Sequence, residues 1–333
     1  MQFKTLIITI LVGMLTFVGC GNKSNEVAPT DPQELLAYLD AKIKQNPDDA
    51  ELYYQRGKVL FELSELNEAI TSLKKAISLD EKEQKYYLLL ADVYFRNGNT
   101  KESYANLQEA LNLDPKNIDA YLKLAEISLF GRDYDRSMES IEKAISLDDH
   151  NARAFYMKGY LNLEMGDTTS AVRNLRKTID LDNEYAQAYE LLGLLFINRG
   201  DKLGLDYLTT AVNLDPNNTV ALYALGLFYQ ENDDIEQATN FYNKVLNINS
   251  QNANALHNLG YIEMLYKENY DKAIEYFTKA IEVDSYNLEA HTNRAYAYEL
   301  LGDKAKAKEG YEDALAIDQT FAPAQEGLKR ISR

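Results

Sequence analysis

The chain has 333 residues, 46% hydrophobic and 26% charged, with 16 glycines and 6 prolines, a balance that excludes a disordered or collagen-like polymer. A formal net charge of −17 opposes a nucleic-acid backbone or an anionic lipid surface, and fits either plain solubility or a basic partner. With Cys20 as the single cysteine, an intrachain disulfide framework and a thiolate metal cluster are both excluded.

The chain opens on a short polar start with Lys4, an apolar run over residues 6–15, and Val18-Gly19 ahead of Cys20. That run is too short for a hydrocarbon core of roughly 30 Å, which takes about 20 helical residues. The pattern resembles a bacterial lipoprotein signal peptide, with Phe17 standing where leucine is commoner. The resemblance implies that residues 1–19 are removed and that Cys20 is acylated; Gly21, rather than aspartate, favours sorting to the outer membrane. Residues 20–30 are polar, include Pro29, and read as a lipidated tether. Residues 31–49 read as an N-terminal capping helix. Thr30 is its expected N-cap, Pro32 lies in the first turn, Leu35, Leu36, Leu39 and Ile43 form its apolar stripe, and Asn46-Pro47 ends it.

From residue 50 to 321 the chain repeats itself in eight units: 50–83, 84–117, 118–151, 152–185, 186–218, 219–252, 253–287 and 288–321. The fifth is one residue short near Gly200-Asp201, and the seventh is one long within residues 266–270, so both changes fall in turns. Each unit reads as two amphipathic helices too short to bury their stripes alone, so stacking is required. The eighth position is always small (Gly57, Ala91, Ala125, Gly159, Gly193, Gly226, Gly260, Ala295), as a close helix crossing demands. A second small column, Ala69, Ser103, Ser137, Ala171, Gly204, Ala238, Ala273 and Ala307, opens the second helix of each unit. The fourth position is mostly aromatic or large: Tyr53, Tyr87, Tyr121, Phe155, Tyr189, Leu222, Leu256, then His291.

These columns resemble the tetratricopeptide repeat family, although tryptophan, usual there at the fourth position, is absent. The resemblance implies an all-α fold, a right-handed α-α superhelix, whose first helices line a concave groove through their fifth, ninth and twelfth positions. Those positions supply the candidate binding residues Tyr54, Phe61, Phe95, Tyr156, Tyr160, Tyr223, Leu227, His257, Tyr261 and Tyr296. Two readings stay open for them: packing between repeats with only the hydroxyls wet, or an exposed apolar strip for a peptide. Residues 322–333 read as a C-terminal capping helix, with Leu328 and Ile331 covering the last unit and Lys329, Arg330 and Arg333 facing water.

No nucleophile elbow, phosphate-cradling glycine loop, zinc-protease helix or calcium loop occurs. Of the three histidines, His150 falls in a turn, His257 on a first helix, and His291 at a core position where a packed imidazole is expected. No catalytic residue, metal site or cofactor is expected. The sequence therefore points to a non-enzymatic lipoprotein scaffold on the periplasmic side of an outer membrane, with protein or peptide partners in its groove, a membrane anchor at Cys20 and no nucleic acid. The alternative is a surface lipoprotein that captures a glycan or peptide with the same aromatic groove.

Overall fold

Aspartate or asparagine starts most of the helices, because either side chain accepts backbone N–H groups that a first turn leaves without partners. The computed structural model describes residues 28–332, all-helical apart from turns, so the predicted signal peptide and Cys20 lie outside the described residues. The chain divides between Leu113 and Asp114 into two compact units. The first contains α1 (Pro32–Gln45), α2 (Ala50–Glu62), α3 (Leu66–Leu79), α4 (Gln84–Arg96) and α5 (Thr100–Leu113). The second contains α6 (Ile118–Phe130), α7 (Tyr134–Leu147), α8 (Ala152–Glu164), α9 (Thr168–Leu181), α10 (Ala186–Ile197), α11 (Leu203–Leu214) and α12 (Thr219–Glu231). It continues through α13 (Ile235–Ile248), α14 (Ala253–Leu265), α15 (Tyr270–Val283), α16 (Leu288–Leu300), α17 (Lys304–Ile317) and α18 (Ala322–Ile331).

The cap of α1 corrects the sequence reading. Asp31, not Thr30, is the N-cap: its Oδ1 accepts from the backbone of Gln33 and Glu34 at 3.0 and 3.1 Å. With Pro32 in the first helical position, the cap must be the residue immediately before it.

Within each repeat the two helices meet at the small columns, which are buried throughout. Ser103 and Ser137 use their place there to donate to the carbonyls of Ala91 and Ala125, at 2.6 and 2.9 Å. A Cβ at Gly226 would lie 2.6 Å from the Tyr242 ring, so glycine lets a fully buried aromatic occupy the crossing. The turn between the two helices reverses at one left-handed residue per repeat: Ser64, Gly98, Arg132, Gly166, Gly200, Asp233, Glu268 and Gly302, with φ between 51° and 82°. In the short fifth repeat Gly200 keeps its place, so the residue is lost between it and Gly204, in the turn and first turn of α11. That draws α11 against α10: a Cβ at Gly204 would meet the backbone nitrogen of Ile197 at 2.5 Å and the carbonyl oxygen of Gly193 at 2.7 Å.

The extra residue of the seventh repeat lies ahead of Glu268, and the enlarged turn is tied to a buried carboxylate. Glu263, 3% exposed, accepts from Lys267 and Lys272 at 3.1 and 3.0 Å. Burial raises its pKa, but the two lysine hydrogen bonds and charges outweigh that and hold it below the usual carboxylate value.

In four repeats the fourth position ties the first helix to the turn before it. The hydroxyls of Tyr53, Tyr87 and Tyr121 donate to the carbonyls of Pro47, Glu81 and Pro115 at 3.1, 3.0 and 3.3 Å. His291, 8% exposed, makes the equivalent bond from Nε2 to the Ser285 carbonyl at 3.2 Å, leaving its Nδ1 without a partner. Leu328 and Ile331 of α18 pack against the cluster of Ala295, Ala307, Tyr311, Ala314 and Ala324. Arg330 is exposed, as expected, and its guanidinium also binds both oxygens of Glu299 at 2.6 and 2.8 Å and lies 5.1 Å from the centre of the Tyr296 ring.

Candidate interaction groove

First helices of successive repeats touch directly, α2 with α4 in the first unit, and α6 with α8, α10 with α12 and α14 with α16 in the second. The faces they share carry the candidate binding residues, all ten of which are half-buried. In the first unit the ring of Tyr54 lies tilted beside that of Tyr86 at 5.2 Å with the Lys85 ammonium 5.2 Å from its centre, and the Arg96 guanidinium lies 5.2 Å from the Phe61 ring. Phe95 lies on α4, the first helix of the next repeat. A depression of about 400 Å³ in this unit opens beside Asp40, Tyr53, Arg56 and Lys75 instead, with Arg56 held by Asp40 at 2.7 Å and by Ser72 at 2.6 Å.

In the second unit the same repeat positions meet different fates. Leu122, Met264 and Thr292, also fifth or twelfth in their repeats, are buried. Tyr156 packs on two core clusters, one around Leu122 and Leu161 and one around Leu175 and Leu192, and its ring lies 4.9 Å from that of Tyr185. Burial drives its hydroxyl pKa well above the ordinary tyrosine value. Tyr160 is pushed up to about 12, by burial first and then by Glu164 beside it. Tyr261 packs beside Met264 and Phe277, and Tyr296 is covered by Arg330. The structure thus separates the two tyrosines of the fourth repeat. Tyr156→Ser is expected to lower the stability of the second unit by about 2 kcal/mol, and Tyr160→Ser by less than about 1. Urea unfolding followed by circular dichroism measures both; equal and small effects would show that Tyr156 is not a packing residue.

Tyr223 and Leu227 are brought together. With Leu194, Thr219, Val220, Ala224, Asn252 and Asn254 they line a depression of about 290 Å³ built from α10, α12 and the start of α14. A polar chain runs beside it. Asn258 donates to the hydroxyls of Tyr223 and Tyr242 at 3.1 Å each, and Tyr242 donates to Gln230 at 2.9 Å. His257 Nε2 accepts from the Asn293 amide at 2.9 Å, which places its proton on Nδ1, 3.2 Å from the acceptor Asn258 Oδ1. Burial lowers the pKa of this imidazole, with the Asn258 bond and Glu289 opposing, so His257 is a neutral, doubly bonded member of the network. On the opposite side Asn218 donates to Glu190 Oε2 at 2.7 Å. Asn258, Asn293 and Asn218 escaped the sequence reading; the visible signal was asparagine at the sixth position of two successive repeats, where most others are apolar.

Among the described residues one cluster has metal-ligand spacing, Asp148, Asp149 and His150 in the turn after α7, with ligand atoms within 4.8 Å of one another. Asp149 and His150 are exposed, and His150 Nδ1 faces Asp149 at 2.6 Å.

Four sequence-family models match this chain. One described as TPR repeat covers residues 57–98 and 91–128, and three described as tetratricopeptide repeat cover residues 118–151 and 152–185, 218–285, and 263–323. The chain carries tetratricopeptide repeats. No curated protein matches it. Among solved structures, the Cut9-Hcn1 hetero-tetramer of APC/C is 20% identical at a TM-score of 0.56, over 91% of this chain and 60% of that one. The C-terminal part of a repeat-containing protein from Cytophaga hutchinsonii is 23% identical at a TM-score of 0.56, over 74% of this chain and 99% of that one. MamA is 26% identical at a TM-score of 0.44, over 47% of this chain and 92% of that one. The fold shared with the first two is an all-α stack of tetratricopeptide repeats, which fits the right-handed superhelix that the sequence implies. Tetratricopeptide-repeat proteins generally mediate protein–protein interaction.

Proposed function

We propose that this protein is a non-catalytic scaffold of the bacterial cell envelope, anchored through acylated Cys20 and holding a protein partner on the first-helix face of its second unit. The observation that carries the partner reading is the apolar depression at Leu194, Tyr223 and Leu227, to which first helices of three successive repeats contribute. A protein partner is favoured over a glycan because four of the six candidate groove tyrosines already have a ring or cation beside them: Tyr54 has Lys85 and Tyr86, Tyr156 has Tyr185, Tyr223 has Tyr242 and Tyr296 has Arg330. The anchor rests on the segment ending at Cys20, and the outer membrane on Gly21. No described helix is long and apolar enough to cross a membrane, so attachment in this reading rests on the acyl chains.

The test uses the full chain in its own cell. The native protein should sediment with membranes and Cys20→Ala should be soluble; a variant that still sediments overturns the anchor. A photo-crosslinking residue at Leu227 should yield a discrete protein adduct that the same residue at the exposed Ile248 of α13 does not. Equal labelling from both positions overturns the groove.

A further inference from the structure

Five carboxylates on the first helices of the second unit are at least half-buried, and the chain gives four of them a cation. Asp119 faces Lys123 and Arg153 at 3.7 and 2.9 Å; Glu126 faces Arg153 at 3.9 Å. Glu263 faces Lys267 and Lys272 at 3.1 and 3.0 Å, and Glu299 faces Arg330 at 2.6 Å. Glu190 is the exception. Its hydrogen bond comes from the neutral Asn218 amide, and no lysine or arginine among the described residues pairs with it. Burial raises its pKa, the Asn218 bond opposes that, and Asp215 adds to it.

Such a group works against the fold. A carboxylate whose folded pKa is raised contributes stability that is present below its unfolded pKa and lost as pH rises through the folded one, so at neutral pH it is a liability. The chain nevertheless keeps it one turn ahead of Leu194 on α10, and Asn218, which holds it, is the N-cap of α12. Leu194 and the next residues of α12, Thr219 and Tyr223, line the depression. The site therefore offers a carboxyl group without a partner cation one turn from the hollow's Leu194, in a chain whose net charge of −17 favours basic partners.

We propose that this hollow receives a basic segment of an extended polypeptide, with a lysine or arginine paired to Glu190 and an adjoining apolar side chain between Leu194, Tyr223 and Leu227. This rests on the groove reading above and specifies its partner: the charge the other four sites obtain from within the chain comes here from outside.

The test selects a displayed random dodecapeptide library on the full-length protein, then measures synthetic, end-blocked winners by fluorescence anisotropy. Enriched peptides should carry Lys or Arg at one position beside Leu, Ile, Met or Phe. Glu190→Gln should weaken them about tenfold, the scale of one charged contact, while melting no lower than the native protein at pH 7.5. Replacing the peptide's basic residue by norleucine should cost as much on the native protein and nothing more on Glu190→Gln. Winners without a positional basic residue, or with equal affinity for both proteins, overturn the role of Glu190. If Leu227→Ser weakens those same winners, the groove reading stands without it. If no peptide is selected, or the winners ignore Leu227→Ser as well, both fall.

Discussion

Gly204→Ala is expected to destabilise the second unit by about 2 kcal/mol, although alanine is the better helix former by about 1 kcal/mol. The new Cβ would press on the Ile197 backbone nitrogen and the Gly193 carbonyl, neither of which can rotate away as a side chain would. Relief requires moving α11 off α10, which opens the buried contacts around Leu208 and Ala211. Gly131→Ala supplies the comparison: its φ is −77° and the nearest atoms to an added Cβ are 3.6 Å away, so it should be neutral or slightly stabilising. Urea midpoints for both variants decide the matter; a Gly204→Ala protein as stable as the native one would mean that the lost turn residue is accommodated elsewhere.

Replacing Lys267 and Lys272 together by methionine is expected to cost about 3 kcal/mol at pH 7.5, because it leaves the Glu263 carboxylate buried without a counter-charge. The pH dependence should change sign. In the native protein the folded pKa of Glu263 is depressed, so its contribution is present above the unfolded value, about 4.3, and is lost as pH falls through the folded value. In the double variant burial acts alone and raises the folded pKa, so the penalty is present at neutral pH and is relieved on acidification. Adding Glu263→Gln to that variant should restore most of the loss. Thermal melts between pH 7.5 and 5 test this; a double variant with the native protein's pH slope would show that Glu263 does not depend on its lysines.

The repeat could be read from sequence because close approach of two helices is a hard steric limit: the eighth position takes only Gly or Ala, and Gly57 against Leu73 and Gly226 against Tyr242 leave no room for a Cβ. The left-handed turn residue was half visible. Gly98, Gly166, Gly200 and Gly302 mark it, but Ser64, Arg132, Asp233 and Glu268 adopt the same conformation under the surrounding hydrogen bonds, and nothing in their chemistry announces it. The groove was legible as a set of positions and not as a surface. Leu122, Tyr223 and Tyr296 occupy fifth or ninth positions, yet the first is buried, the second borders a hollow, and the third lies under Arg330 from a helix beyond the last repeat. Exposure there is set by neighbouring repeats, which a single repeat's pattern does not encode. Glu190 stood in view at a fifth position; what identifies it is the absence of a cation that each comparable carboxylate has, and that emerges only once helices are placed.

The bond from the fourth position to the preceding turn divides the second unit mechanically. Tyr121 makes it in the first repeat of that unit and His291 in the last. Between them Phe155, Leu222 and Leu256 have no polar atom to offer, and Tyr189 forms no such bond among the described residues. The unit is stitched at its two ends and unstitched across the span that holds α10, α12 and α14. There the cap bonds of Asn218 to Ala221 and of Asn252 to Ala255 still hold the starts of α12 and α14, but no fourth-position side chain reaches back to the turn. The hollow beside Glu190 thus lies in the span whose first helices lack that side-chain tie, between two repeats that have it.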